Sequence, residues 1–287
     1  MENPVLFNVK NGVATITLNR SDRYNAVNQE LVDGISSSLI KCETEESIRS
    51  VVITGEGRGF CSGADMSVFG NEVTPEQRSQ YIIDQYQPLI NQFFSLKKPI
   101  IGAINGTAAG VGAAFALACD FRVMSDQSAI LFAFVNIGLG PDGGASWLLA
   151  RQVGYSRALE IATSGKKVIG QKCLELGLTN RIVNQDEILS NAQAFAEQLT
   201  ANGFDCLTGG TDSHIILLDL TNRGISGKDA ADHLEELGIT VNKNGIPNDP
   251  RSFIETSGIR LGTAAETTKG HDAEWFKNLA DKIAEII

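Results

Sequence analysis

Histidine is scarce in this chain: three residues in 287, at positions 214, 233 and 271, all in the last third. The first two thirds therefore offer no imidazole as a general base. Basic charge is also short, with 24 Lys and Arg against 34 Asp and Glu, a formal net charge of −10 and a pI near 4.9. That balance argues against nucleic acid or an anionic membrane as the main partner. Five cysteines (Cys42, Cys61, Cys119, Cys173, Cys206) are odd in number and have no CxxC spacing. Neither a disulfide framework nor a metal site is expected, only reduced and largely buried thiols. No segment approaches the ~20 consecutive apolar residues of a membrane span, and MENPVLFNVKNG lacks a basic stretch followed by an apolar run. The expectation is a cytoplasmic protein. Its 43% hydrophobic content is enough for a sizeable core.

Small residues are plentiful and clustered. Ile100 to Trp147 reads as a buried strand, a glycine-broken turn at Gly106 and Gly110 to Gly112, a small-residue helix from Ala113 to Cys119, another strand, and Pro141-Asp142-Gly143-Gly144 as a helix start running to about Val153. Gly59 to Asp65 (GFCSGAD) has the same character. Two such loops suggest a site built from main-chain N–H groups, one of them at a helix start able to receive an oxyanion. The other reading is that these glycines only permit tight packing.

Around them the pattern alternates strand and helix. Val5 to Val9 and Val13 to Leu18 flank Asn11-Gly12, a two-residue hairpin signal. Asn28 is placed to cap a helix through Thr44, with Leu31, Ile35, Leu39 and Cys42 on one face. Ser50 to Gly55 is a buried strand, Thr74-Pro75-Glu76-Gln77 a capping box leading a helix to about Leu96, and Pro99 to Ile104 the next strand. Helices over Ala158 to Ser164 and Gln171 to Leu176 precede a strand at Arg181 to Val183. This is the opening of a layered α/β fold. Near Ser190 the character changes: a helix over Asn191 to Leu199, a strand over Ile215 to Leu220, a helix over Gly227 to Gly238, a strand at Ile239 to Val241 and a helix over Ala273 to Ile286.

Four segments in order, NRSDRYNAV, GRGFCSGADMS, KPIIGAINGTAAGVGAAFALACDFRVMS and FVNIGLGPDGGASWLLARQVG, make residues 1–188 similar to the crotonase superfamily, the enoyl-CoA hydratases and isomerases of fatty acid metabolism. The resemblance implies a spiral of ββα units, an acyl-CoA thioester as substrate, no separate cofactor, and an oxyanion hole whose donors are the amides of Ala64 and Val111. It also places Arg23, Asn25, Ala26, Ser62, Gly63, Asp65 and Met66 along the CoA, with Arg20 or Arg23 near phosphate, and Gly110 and Phe134 beside the acyl group. The two glutamates by which hydratases of the family resemble one another correspond here to Ala114 and Phe134, which leaves concerted hydration without its base and acid. Asp142 occupies the position where isomerase branches, including those acting on enoyl-CoAs and on the ring-epoxide of phenylacetyl-CoA, carry an Asp or Glu. One carboxylate beside an oxyanion hole suffices to shift a double bond. Burial against Phe134, Ile137 and Trp147 would raise its pKa and a helix N-terminus would lower it, so the sign stays open, as does a plain capping role. Cys61 and Cys119 read as core residues.

Residues from about 191 onward resemble the C-terminal small domain of serine hydroxymethyltransferase, through NAQAFAEQLTANGFDCLTGGTDSHIILLDL, SGKDAADHLEELGITVNKNGIPNDP and TSGIRLGT. In that family the SGIR arginine, here Arg260, holds a substrate carboxylate. The lysine and large domain that carry pyridoxal phosphate have no counterpart, so this cofactor is not expected, and Arg260 and His214 read as remnants. The chain reads as a fusion, with domains at 1–188 and 189–287. The usual closing helices of crotonases appear replaced, which puts their trimeric or hexameric assembly in doubt. The leading expectation is an acyl-CoA isomerase. The alternatives are a catalytically silent, scaffold-like chimera and an enoyl-CoA hydratase.

Overall fold

The computed structural model describes residues 3–67, 73–201, 215–236, 242–244, 249–252 and 255–262. It falls into two compact units, Met1–Glu197 and Gln198–Ile287.

In the first unit, β1 (Val5–Lys10) and β2 (Val13–Leu18) form the hairpin the sequence announces. Its tip is Asn11 and Gly12, both at positive φ (52° and 77°), the combination a primed two-residue turn requires. Helix α1 (Gln29–Thr44) begins where Asn28 accepts a hydrogen bond from the Leu31 N–H at 3.0 Å, and its apolar stripe of Leu31, Ile35, Leu39 and Cys42 is buried. Then come β3 (Ser50–Gly55), α2 (Pro75–Tyr81), a single π turn over Ile82–Tyr86, α3 (Gln87–Ser95), β4 (Ile100–Ile104), β5 (Thr107–Ala109), α4 (Val111–Ala118), β6 (Phe121–Met124) and β7 (Ala129–Leu131). The unit closes with α5 (Ala145–Val153), α6 (Tyr155–Ser164), β8 (Lys167–Ile169), α7 (Gly170–Glu175), β9 (Arg181–Ile182) and α8 (Ile188–Ala201).

The strands make a six-stranded sheet in the order β1-β2-β3-β4-β6-β9, antiparallel only at β1/β2, and a small sheet β5-β7-β8. Strands β3 and β4 are buried throughout, as expected of central parallel strands whose faces are both covered. Helix α4 is buried at all eight positions and is made almost wholly of small side chains. Phe115 from α4 stacks on Phe93 from α3 with centroids 6.0 Å apart. The first turns of α8 are tied to the sheet: Gln193 donates to the Thr15 hydroxyl at 3.1 Å, the Ser50 hydroxyl donates to the Ala196 carbonyl at 3.2 Å, and Phe195 meets Phe121 edge-on at 4.9 Å. These contacts explain why the first unit extends to Glu197.

Two boundaries differ from the sequence reading. The helix expected from Thr74 to Leu96 is interrupted by the π turn, and the helix expected to open at Asp142 begins at Ala145, because Gly143 and Gly144 take positive φ (55° and 76°) first.

In the second unit, β10 (Ile215–Asp219), α9 (Gly227–Glu236), β11 (Asn242–Asn244) and β12 (Gly258–Gly262) give an antiparallel sheet ordered β10-β12-β11. The α9 residues Ala230 and Leu234 are buried. The Asp249 carboxylate accepts from the Ser257 N–H and hydroxyl at 2.9 and 2.6 Å, fixing the turn before β12. The strand expected at Ile239 to Val241 and the helix expected at Ala273 to Ile286 lie outside the described residues.

Candidate functional site

Three loops of the first unit are laced together by main-chain hydrogen bonds. The Val27 N–H donates to the Gly63 carbonyl at 2.8 Å and the Asp65 N–H to the Val27 carbonyl at 2.9 Å; the Cys61 N–H donates to Thr107 at 3.3 Å and the Ala109 N–H to Cys61 at 2.8 Å. Gly63 sits at φ 97°, and a Cβ there would stand 2.9 Å from the Ala109 carbonyl oxygen. Only glycine allows so close an approach at that conformation.

Among the donors this lacing leaves over are the amides of Ala64 and Val111. Among the described residues, neither the Ala64 N–H nor the Val111 N–H gives its hydrogen to a protein acceptor. Val111 is the first residue of α4 after Gly110, so its N–H lies at the positive end of that helix. Gly63 and Gly110 touch, a Cβ on Gly110 lying 3.6 Å from the Gly63 Cα, which brings the two donor-bearing loops against each other.

The Asp142 segment also meets the start of α4. A Cβ on Gly143 would lie 3.2 Å from Val111 Cγ2 and 3.6 Å from Ala114 Cβ, so the residue after Asp142 packs directly on the first turn of α4. The Asp142 carbonyl accepts from the Ala145 N–H at 2.9 Å, but its side-chain Oδ1 is shut off from solvent without a hydrogen-bond partner. Asp142 therefore does not cap α5, whose N-cap is Gly144. Burial drives its pKa up to about 6, against a smaller lowering by its own N–H. The sign left open is an increase, since the helix starts three residues later. Phe134 is buried against Phe132, whereas Ile137 and Trp147 are half exposed or more.

The loop residues assigned to the CoA end divide. Arg20 spans the loops, its guanidinium donating to the Ala26 carbonyl and pairing with Asp65 at 2.9 Å. Hydrogen bonds from Ser67, with those from Arg20, lower the Asp65 pKa despite some burial. Asn25 is fully buried at φ 57° with its amide donating to the carbonyls of Glu56, Gly59 and Phe60 at 3.1, 2.9 and 3.1 Å, so its side chain braces the loop from beneath. The Ser62 hydroxyl donates to the Arg23 carbonyl at 3.2 Å. Arg23 itself is exposed beside Asp22, and Met66 is 51% exposed. Burial pushes the Cys61 and Cys119 thiols up to about 12, far from a reactive thiolate.

Sequence reasoning missed Tyr86, which is fully buried at the end of the π turn and bears on this site; an i→i+5 turn leaves no mark in a helical periodicity. A hollow of about 500 Å³ bordered by Asp126, Gln185 and Asn191 contains none of these groups. In the second unit, Arg260 lies on β12 opposite Leu217 and Asn242, His233 is exposed on α9, and His214 lies outside the described residues. Among the described residues no group of three or more His, Cys, Asp or Glu is placed to hold a metal, and no helix is long and apolar enough to cross a membrane.

Two family models match this chain. The family model "Enoyl-CoA hydratase/isomerase" matches residues 8–213 and the model "Serine hydroxymethyltransferase" matches residues 172–283. The 1,2-epoxyphenylacetyl-CoA isomerase of Escherichia coli is 35% identical over 197 residues, covering 68% of this chain and 75% of that protein. The crystal structure of an enoyl-CoA hydratase from a Polaromonas species superimposes with a TM-score of 0.66 at 34% identity, over 69% of this chain and 77% of that one. The serine hydroxymethyltransferase of a Wolbachia strain is 52% identical over 101 residues, covering 35% of this chain and only 24% of that protein.

Proposed function

Residues 8–213 of this chain belong to the enoyl-CoA hydratase/isomerase family, with its crotonase fold, and from that premise we propose that the protein shifts a double bond in an acyl-CoA thioester by proton transfer through Asp142. The carrying observation is the unpartnered, buried Oδ1 of Asp142 one residue from the contact between Gly143 and Val111. A carbanion next to a thioester delocalises its charge onto the carbonyl oxygen. Two N–H groups aimed at that oxygen stabilise it by several kcal/mol in a dry site, and the uncommitted amides of Ala64 and Val111 are the donors available. A carboxylate ionised above pH ~6 removes the α-proton and, now a carboxylic acid, returns it further along the chain. Nothing is consumed, so one carboxyl group closes the cycle and no separate cofactor enters.

Two features favour isomerisation over hydration. The methyl of Ala114 lies within 3.6 Å of the position a Gly143 Cβ would occupy, where family hydratases bear a glutamate by the sequence correspondence, and the second such position is the buried Phe134. No second carboxylate is thereby supplied to activate water. The CoA end rests on the loops joined by Arg20 and Asp65. The second unit, similar to a quarter of serine hydroxymethyltransferase, carries no pyridoxal phosphate chemistry in this reading.

A panel of 2- and 3-enoyl-CoAs tests this. Double-bond shift exceeding hydration, lost in Asp142→Asn, is the expected result. Hydration exceeding the shift, or undiminished activity in Asp142→Asn, overturns it, and failure to bind any CoA thioester at millimolar concentration favours a catalytically silent chimera.

A further inference from the structure

Tyr86 is fully buried, and its hydroxyl is enclosed without a hydrogen-bond partner. A buried donor without an acceptor is uncommon and calls for a partner that arrives later. Its placement says where. Tyr86 ends the π turn, where the Gln87 N–H reaches back to the Ile82 carbonyl, and this wider turn rotates the residue relative to regular helix. Four residues on, Ile90 continues the same face and its Cγ2 lies 4.0 Å from the Cβ position of Gly144. The phenol thus stands one helical turn from the Asp142-Gly143-Gly144 segment; burial raises its pKa, and Tyr81, Asp142, Cys61 and Asp65 act in the same direction.

The proton transfer already described accounts for one of the two orphan atoms here. An unshared carboxylate lone pair is what a carbon base needs, because a C–H bond makes no useful hydrogen bond, so Asp142 Oδ1 is complete as it stands. It does not account for the Tyr86 hydroxyl. A hydrocarbon acyl chain would leave that donor unpaired, and the thioester oxygen belongs to the Ala64 and Val111 amides. We propose that Tyr86 is a specificity-determining residue whose hydroxyl donates to an oxygen atom on the acyl group, so that the site selects CoA thioesters whose acyl part carries a hydroxyl or ether-type oxygen. This rests on the reading of the site as an acyl-CoA site.

The test uses the full chain and calorimetric titration with butyryl-CoA, 3-hydroxybutyryl-CoA and 4-hydroxybutyryl-CoA. The wild type binds at least one hydroxyacyl thioester about ten-fold more tightly than butyryl-CoA, and Tyr86→Phe removes that preference by weakening the hydroxyacyl ligand alone. Without ligand, Tyr86→Phe leaves the thermal midpoint unchanged or raised, because the lost hydroxyl had no protein partner. Binding of all three thioesters with equal affinity, or a preference that survives in Tyr86→Phe, overturns the inference and leaves the acyl-CoA reading standing. A fall in the midpoint also overturns it, by showing that the protein itself satisfies the hydroxyl. No binding of any thioester overturns the acyl-CoA reading and the inference together.

Discussion

Gly143 packs on Val111, with a Cβ position 3.2 Å from the valine Cγ2. That contact fixes a buried carboxyl-bearing segment against the N-terminus of an all-buried helix, and it depends on positive φ at Gly143. The acid and one of the two uncommitted amides are therefore positioned by one piece of backbone packing, and changes to either side are expected to act on the same step.

The carboxyl of Asp142 ionises near pH 6, and proton abstraction needs the ionised form. With an enoyl-CoA substrate, kcat/KM is expected to rise with pH through about 6 and level off above it. Asp142→Asn should lower kcat by about 10²- to 10⁴-fold and flatten that limb, while CoA thioester affinity holds within a few-fold. Initial rates from pH 4.5 to 8 read this out.

The same group works against stability. Its model carboxyl pKa is 3.8 and its folded value about 6, so between these pH values the folded chain binds more protons than the unfolded one. Stability therefore falls as pH rises through that window and stays lower above it. Asp142→Asn is expected to gain about 2 kcal/mol at pH 7, allowing for partial solvent access, and to gain nothing below pH 4. Urea melts at the two pH values compare directly.

Val111→Pro deletes one of the two proposed oxyanion donors at the first position of α4, where a missing N–H breaks no intrahelical bond. Loss of one such donor costs about 10²- to 10³-fold in kcat. Circular dichroism should remain close to wild type, Val111→Ala reports the separate cost of losing the Cγ2 that packs on Gly143, and a KM effect much larger than the kcat effect would argue against the donor role.

Asn25→Ala strips the partner from three buried or part-buried carbonyls, those of Glu56, Gly59 and Phe60, and puts alanine at φ 57°. A loss of about 3 kcal/mol follows, or roughly 6–12 °C in midpoint for a domain of this size. A shift under 2 °C by calorimetry would contradict the bracing role.

Much of this was legible in the chain. The hairpin at Asn11-Gly12, the Asn28 cap and the Thr74 to Gln77 capping box are local chemistry, and each forms as written. The small-residue loops announced main chain meeting main chain, and among the described residues the Ala64 and Val111 N–H groups have no protein acceptor. What escaped the sequence is long-range. Arg20, one of the two arginines suspected of meeting phosphate, pairs with Asp65 forty-five residues away, and Asn25 turns inward because three carbonyls converge on it. The π turn that buries Tyr86 has no periodicity to betray it.

The sequence by itself determined the alternation of elements, the family motifs and the lone carboxylate at Asp142, because propensity, capping and spacing are written in neighbouring residues. The tertiary structure alone decided the ionisation of Asp142. Positive φ at Gly143 and Gly144 delays α5 to Ala145 and separates the carboxylate from the dipole that would have lowered its pKa, and the fold encloses Oδ1 away from water. Desolvation then outweighs every other influence on it, and desolvation is a property of what surrounds a residue in space.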